Sequence, residues 1–217
     1  MNWLINGKTV KSLMKDGKEI VKVERVEDGK ILYEKESSNN YVVATVTGDS
    51  ISFGSSNLQW LESVGDVIIN WGDGTSDTVN NPRNILSHTY TDNKPEHTIK
   101  FKGEVISFRN LCFEYRNNLT SIWIPHTVTS LGYQCFKWCS SLTHVTLSDG
   151  VTNIDTQCFY KCTSLIDYEL YWTGNNIINY DSGKMPNNTN SIFTIPAGET
   201  TNYIAKGYPS NKLVERS

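Results

Sequence analysis

Leu119-Thr120-Ser121-Ile122, Leu142-Thr143-His144-Val145 and Leu165-Ile166-Asp167-Tyr168 are one phrase written three times, at intervals of 23 residues. Between these anchors, Gln134-Cys135-Phe136-Lys137-Trp138-Cys139 repeats as Gln157-Cys158-Phe159-Tyr160-Lys161-Cys162. A fainter copy precedes them, with Ile99, Phe101, Val105, Cys112 and Phe113 in register. A fixed period of this length marks stacked supersecondary units, each burying its apolar edge against the next. Such stacks usually bind and rarely catalyse.

One unit can be assigned from its residues. In Ser121-Ile122-Trp123-Ile124 the two-residue period of a strand sends Ile122 and Ile124 inward and Ser121 and Trp123 outward. Pro125 ends the strand because it cannot donate to the ladder. Val128 and Leu131 turn the chain back under the sheet, and Phe136 closes the opposite side. A shift of one period places His144 and Thr146 beside Ser121 and Trp123, with Asp167 and Glu169 beyond them and Tyr171 on the same face. Thr98 and Lys100 fall on the other side. Residues 97–101 then serve both the first unit and the segment before it, which predicts a rigid junction. The five cysteines follow the period and match no zinc spacing. Cys112, Cys135 and Cys158 form one expected ladder and Cys139 and Cys162 a second, read as buried thiols rather than disulfides.

Working outward, residues 172–191 break the period with a polar, Asn-rich stretch, expected to be a long loop and a contact site. Residues 41–106 read as a small β-sandwich. Tyr41-Val42-Val43-Ala44-Thr45-Val46 and Asp66-Val67-Ile68-Ile69-Asn70-Trp71 are strand-like, and Gly72 and Gly74 permit a tight turn in which Asp73 bonds the backbone. Residues 1–40 read as a separate β-hairpin module, with turns at Asp16-Gly17 and Asp28-Gly29. Strands are expected over 19–26 and 30–34, and a linker over 36–40. The module is too short to hold a core easily and is expected to pack on a neighbour or another chain.

Two stretches resemble known families. Trp71-Gly72-Asp73-Gly74-Thr75 followed by Ser87-His88-Thr89-Tyr90-Thr91 resembles the PKD (polycystic kidney disease) domain, an immunoglobulin-like sandwich of extracellular proteins. It departs where Asn93-Lys94-Pro95 replaces the usual Gly. The repeats, Leu-Thr-Ser-Ile-x-Ile-Pro, then Val-Thr-x-Ile/Leu-Gly, then Cys-Phe-x-x-Cys-x-Ser-Leu, resemble the BspA-like leucine-rich repeat of surface proteins. Ile192-Phe193-Thr194-Ile195-Pro196-Ala197-Gly198 and Tyr203 resemble the closing element of such arrays. The fold expected is therefore mainly β: a hairpin module (1–40), a PKD-like β-sandwich (41–106), and a short leucine-rich repeat solenoid with a C-terminal cap (107–217).

Composition narrows the function. Net charge is −3 with no basic stripe, which argues against nucleic acid. No apolar run reaches membrane-spanning length, so no membrane insertion is expected. The start at Met1 lacks the apolar core of a signal peptide. The four histidines complete no nucleophile set with a Ser or Cys. His144 beside Asp167 reads as a surface pair, and Asp167 and Glu169 lack a cleft that would split their pKa values. His88 reads as structural. Asp73 and Asp77 are a faint calcium signal. No cofactor, metal or catalytic residue is expected. The sequon at Asn118 overlaps Leu119 of the core edge and reads as coincidental; a second lies at Asn187.

The six Trp and eleven Tyr exceed what a core of this size needs. Trp123 and Tyr171 flank His144 on the sheet face, while Tyr115 and Trp138, with Lys161 next, form a row on the far side. Exposed aromatic rows on a rigid scaffold are typical contact anchors. The expected ligand-binding set is Ser121, Trp123, His144, Thr146, Asp167, Glu169 and Tyr171. The expected function is a non-enzymatic adhesin or receptor-binding protein for a cell-surface glycan or protein. Both resemblances point outside the cell, and the start of the chain lacks a secretion signal. Together these suggest a virion tail-associated adhesin, docked through residues 1–40 to a virion or tail protein or to further copies of the chain. The alternatives are a microbial surface adhesin and an accessory module of a glycan-active enzyme.

Overall fold

The computed structural model describes residues 41–55, 57–185 and 190–216, together with the backbone of six short strands within residues 1–40. Residues 1–40 and 41–217 form two separate compact units. In the first unit, β1 (Asn2–Ile5) pairs antiparallel with β2 (Lys8–Lys11), β3 (Met14–Lys15) with β4 (Lys18–Glu19), and β5 (Glu24–Arg25) with β6 (Ile31–Leu32). The second and third pairs bracket Asp16-Gly17 and Asp28-Gly29, as the turn signals require. The first pair brackets Asn6-Gly7, an equally good hairpin dipeptide. The linker expected over 36–40 lies outside the described residues.

The second unit begins with β7 (Val42–Thr47), β8 (Ser50–Phe53), β9 (Leu61–Asn70), β10 (Ser76–Val79), β11 (Leu86–Thr89) and β12 (Glu96–Phe108). Strands β10, β9, β12 and β7 lie side by side and antiparallel, while β8 and β11 form a separate ribbon. Alternation drives the layering: Val42, Ala44 and Val46 are buried and their neighbours are not. Phe53 of the ribbon meets Trp60, Trp71 and Phe101 with ring centroids 5.8, 5.5 and 5.3 Å away. Gly72 and Gly74 have φ of 91° and 99°, and a Cβ on Gly72 would lie 2.7 Å from the Thr98 carbonyl.

The repeats follow as β13 (Leu119–Ile124), β14 (Ser130–Leu131), β15 (His144–Leu147), β16 (Asn153–Ile154), β17 (Asp167–Leu170), β18 (Ile192–Ile195) and β19 (Leu213–Glu215). Strands β13, β15, β17, β18 and β19 form a parallel ladder continuous with the antiparallel strands. A second parallel ladder runs from Ser107 of β12 through β14 to β16. A third side is closed by irregular backbone bonds, Phe113 N to Cys135 O and Phe136 N to Cys158 O, both 2.8 Å. Inside, Phe113, Phe136 and Phe159 stack at 4.8 and 5.0 Å and 5°. All five cysteines are buried and none is in a disulfide; Cys139 and Cys162 donate to the Phe113 and Phe136 carbonyls at 2.9 and 3.0 Å. Burial pushes the Cys112, Cys139 and Cys158 thiols up, and Cys162 up to about 12.

Two expectations need correction. Thr98 and Lys100 do not lie beside Ser121 and Trp123, because β7 sits between: Trp123 pairs with Val43 and Ser121 with Thr45, and β12 lies one strand further out. An antiparallel strand thereby covers the ladder edge that β13 would otherwise leave unpaired. The junction is one sheet, without a linker. Residues 172–191 are also more than a surface loop. Trp172, Ile177 and Met185 are buried, and Gln157 N and Phe159 N bond to the carbonyls of Gly183 and Lys184. Gly183 and Lys184 carry the third side one rung further. The short helix α1 (Thr200–Ala205) then buries Tyr203, whose hydroxyl donates to Trp172 O at 3.0 Å.

Candidate functional site

The pairing register puts the expected contact residues on one outward sheet face. Ser121, His144 and Asp167 are paired in line, as are Trp123, Thr146 and Glu169, while Tyr171 follows the end of β17. Ile122, Val145 and Tyr168, one position along, are buried beneath. The second line extends both ways, through Val43, Lys100 and Asn70 on one side and through Thr194 and Val214 on the other. The face is thus longer than the repeats.

Its polar groups are tied to one another. His144 Nδ1 lies 2.7 Å from Asp167 Oδ2, and His144 Nε2 lies 3.0 Å from Thr146 Oγ1. Thr146 in turn donates to Glu169 Oε2 at 3.1 Å. An ionised Asp167 accepts from Nδ1–H; at Nε2 the protonated ring donates to Thr146 Oγ1, whereas the neutral ring accepts from it. The bond to Asp167 raises the His144 pKa against the effect of burial, and the same bond, followed by opposing desolvation, lowers that of Asp167. Thr194 donates to Asp167 Oδ1 at 3.1 Å, and Tyr171 to Glu169 Oε1 at 2.9 Å. Arg216 reaches Glu169 Oε1 at 3.3 Å, donates to the Leu170 carbonyl and lies 3.6 Å from the Tyr171 ring centroid. Thr146 is buried and positions its neighbours, whereas Ser121, Trp123, His144, Asp167, Glu169 and Tyr171 are half-buried.

Two members escape a reading by period. Thr194 pairs beyond Glu169 after an insertion that breaks the 23-residue spacing, although Ile192-Phe193-Thr194-Ile195 alternates like Ser121-Ile122-Trp123-Ile124. Arg216 arrives only because β19 returns beside β18, and nothing local announces it.

The motif residues near the start of the second unit have structural partners. Asp73 accepts from Thr75 N and Oγ1 at 2.9 and 2.7 Å, and its second oxygen lies 2.8 Å from His88 Nε2. Burial opposes its ionisation, but these bonds together hold its pKa at about 2. Asp77 accepts from Trp71 Nε1 at 2.8 Å, His88 stacks on Trp71 at 4.7 Å, and Tyr90 donates to Trp71 O at 3.0 Å. Among the described residues no group of three or more His, Cys, Asp or Glu is placed to hold a metal. The Asn118 amide donates to Thr47 O and Ser50 O, so this sequon sits in a structural contact; the sequon at Asn187 lies outside the described residues.

The model of the BspA type leucine rich repeat region, in six copies, matches residues 83–207, more than half of the chain. The chain belongs to this family. The match includes β11 and β12 as well as the ladder, so the family's footprint begins ahead of residue 107. BspA-type repeats are typically found on surface or secreted proteins and are commonly involved in surface binding or adhesion. The crystal structure of the T. pallidum leucine rich repeat protein (TpLRR) is similar at 18% identity and a TM-score of 0.35, over 49% of this chain. The chain spans 55% of that protein's length. The chain matches none of the curated proteins. No helix among the described residues is long and apolar enough to cross a membrane.

Proposed function

We propose that the chain is a non-enzymatic adhesin or receptor-binding protein whose outward sheet face recognises a cell-surface glycan or protein. One observation carries this reading. Trp123 stands on a face whose flanking polar groups are already fixed by the His144–Asp167–Thr194 and Thr146–Glu169–Tyr171–Arg216 hydrogen bonds. A surface ordered before contact loses little side-chain entropy on binding. The same bonds argue against glycosidase chemistry, since each carboxylate is held by donors on an open sheet rather than across a cleft.

The finer form of the proposal is a PKD-like sandwich joined to a BspA-type solenoid, on a virion tail or particle surface, with residues 1–40 as the docking module. The separate compactness of residues 1–40 supports that division. The full chain should bind a subset of a broad glycan and surface-protein array and release no reducing ends from any glycan. Turnover abolished by Asp167→Ala or Glu169→Ala would replace this reading with an enzyme. Binding that survives Trp123→Ala unchanged would move the contact off the sheet face.

A further inference from the structure

The third side of the coil carries a second surface that the sheet-face reading leaves unused. Every aromatic among the strongly exposed large side chains of the described residues lies there: Tyr115 at 55%, Tyr133 at 38%, Trp138 at 38% and Tyr160 at 40%. Tyr115, Trp138 and Lys161 form one column, a single residue per rung, because Tyr115 N bonds Lys137 O and Trp138 N bonds Tyr160 O, both at 2.9 Å. The Tyr115 and Trp138 rings are 6.2 Å apart and 10° from parallel. Lys161 Nζ ends the column 5.9 Å from the Trp138 ring centroid and 5.5 Å from that of Tyr160.

The backbone makes this choice of residues informative. Tyr115, Trp138 and Lys161 have φ of 61°, 62° and 62°. That left-handed conformation is cheapest for Gly or Asn and unfavourable for bulky side chains. Turn geometry alone would select the small residues, yet two large aromatic rings and a lysine stand here in water.

The charge pattern selects the ligand chemistry. Lys137 is paired with Glu114 at 3.3 Å. Lys161 is exposed and has no carboxylate partner among the described residues. We propose that this column binds an acidic polysaccharide, with sugar rings laid against Tyr115 and Trp138 and a carboxylate against Lys161. A polymer of ring units suits rings presented in single file, 6.2 Å apart. This site is separate from the sheet face and does not rest on it.

The test titrates the full chain with polygalacturonate, alginate and hyaluronan, each beside its methyl ester. The esters keep the rings and remove the charge. The expected result is salt-sensitive binding of at least one polymer, weakened about tenfold or more by esterification, by Trp138→Asn and by Lys161→Gln, and unchanged in Ile85→Ala, at an exposed position ahead of β11. Trp138→Asn and Tyr115→Asn suit the left-handed backbone and should keep the thermal midpoint, which separates lost binding from lost fold. No binding of any polymer, equal binding of the esters, or loss in Trp123→Ala alone would each overturn the proposal. Retention of a protein ligand through Trp138 without any acidic polymer would overturn it as well.

Discussion

The sheet face and the third side of the coil are cut from the same repeat, yet they treat their side chains in opposite ways. On the sheet face, His144, Thr146, Asp167, Glu169, Tyr171, Thr194 and Arg216 satisfy one another. On the third side, Tyr115, Trp138 and Lys161 stand out from a strained turn with one aromatic and one cation–π contact between them. Pleated strands line their outward side chains up for cross-rung hydrogen bonds, whereas the left-handed positions 115, 138 and 161 hold their side chains out in solvent. One period therefore builds a pre-ordered surface and an adaptable one around a single core.

Variants can break that contrast. The largest effect should come from the core that both surfaces share. Phe136→Ala opens a cavity between Phe113 and Phe159 and should cost about 3–5 kcal/mol in urea unfolding. Cys112, Cys139, Cys158 and Cys162 should resist alkylation in the native wild type and react only on unfolding, because burial hides them from reagent and raises their thiol pKa.

Next comes the sheet face itself. Glu169→Ala strips an acceptor from buried Thr146, from Tyr171 and from Arg216, and should cost about 1–2 kcal/mol. His144→Gln should cost about 1 kcal/mol or less, since the pair with Asp167 is partly exposed. Its cost depends on pH with a definite sign. A raised His144 pKa gives stability fully present below the ordinary imidazole value of about 6.5, and lost as pH rises through the folded value. The lowered Asp167 pKa contributes above the ordinary carboxyl value and is lost as pH falls through its folded value. NMR titration of His144 with Asp167, Glu169 and Arg216 intact should show the raised midpoint, and Asp167→Asn should bring it down.

The smallest effect on stability belongs to the third side. Trp138→Asn relieves a left-handed tryptophan and gives up one cation–π contact, so stability should stay within about 0.5 kcal/mol of wild type. A large loss would mean that the ring holds the turn together, and the contrast between the two surfaces would fail.

The same contrast shows what the sequence can disclose. The inward Ile122 and Ile124, the facing of His144 by Asp167, and the column Tyr115–Trp138–Lys161 all follow from a strict 23-residue period. The place of β7 does not, because pairing between segments far apart in sequence is settled by tertiary packing that no local pattern records. Arg216 and Thr194 were hidden for a related reason, since the chain inserts an anchored detour through Trp172, Ile177 and Met185 before returning to the sheet. The Asn6-Gly7 hairpin is as legible by its dipeptide as those at Asp16-Gly17 and Asp28-Gly29, and its strands, four residues each, are longer than theirs.

The central claim, that a pre-ordered sheet face centred on Trp123 makes the adhesive contact, is tested most directly by retention of the full chain on intact microbial cells. Wild type, Trp123→Ala and Trp138→Asn should be compared at equal concentration. The account predicts that Trp123→Ala lowers retention about tenfold or more while the fold is unchanged. Equal retention of wild type and Trp123→Ala would contradict it.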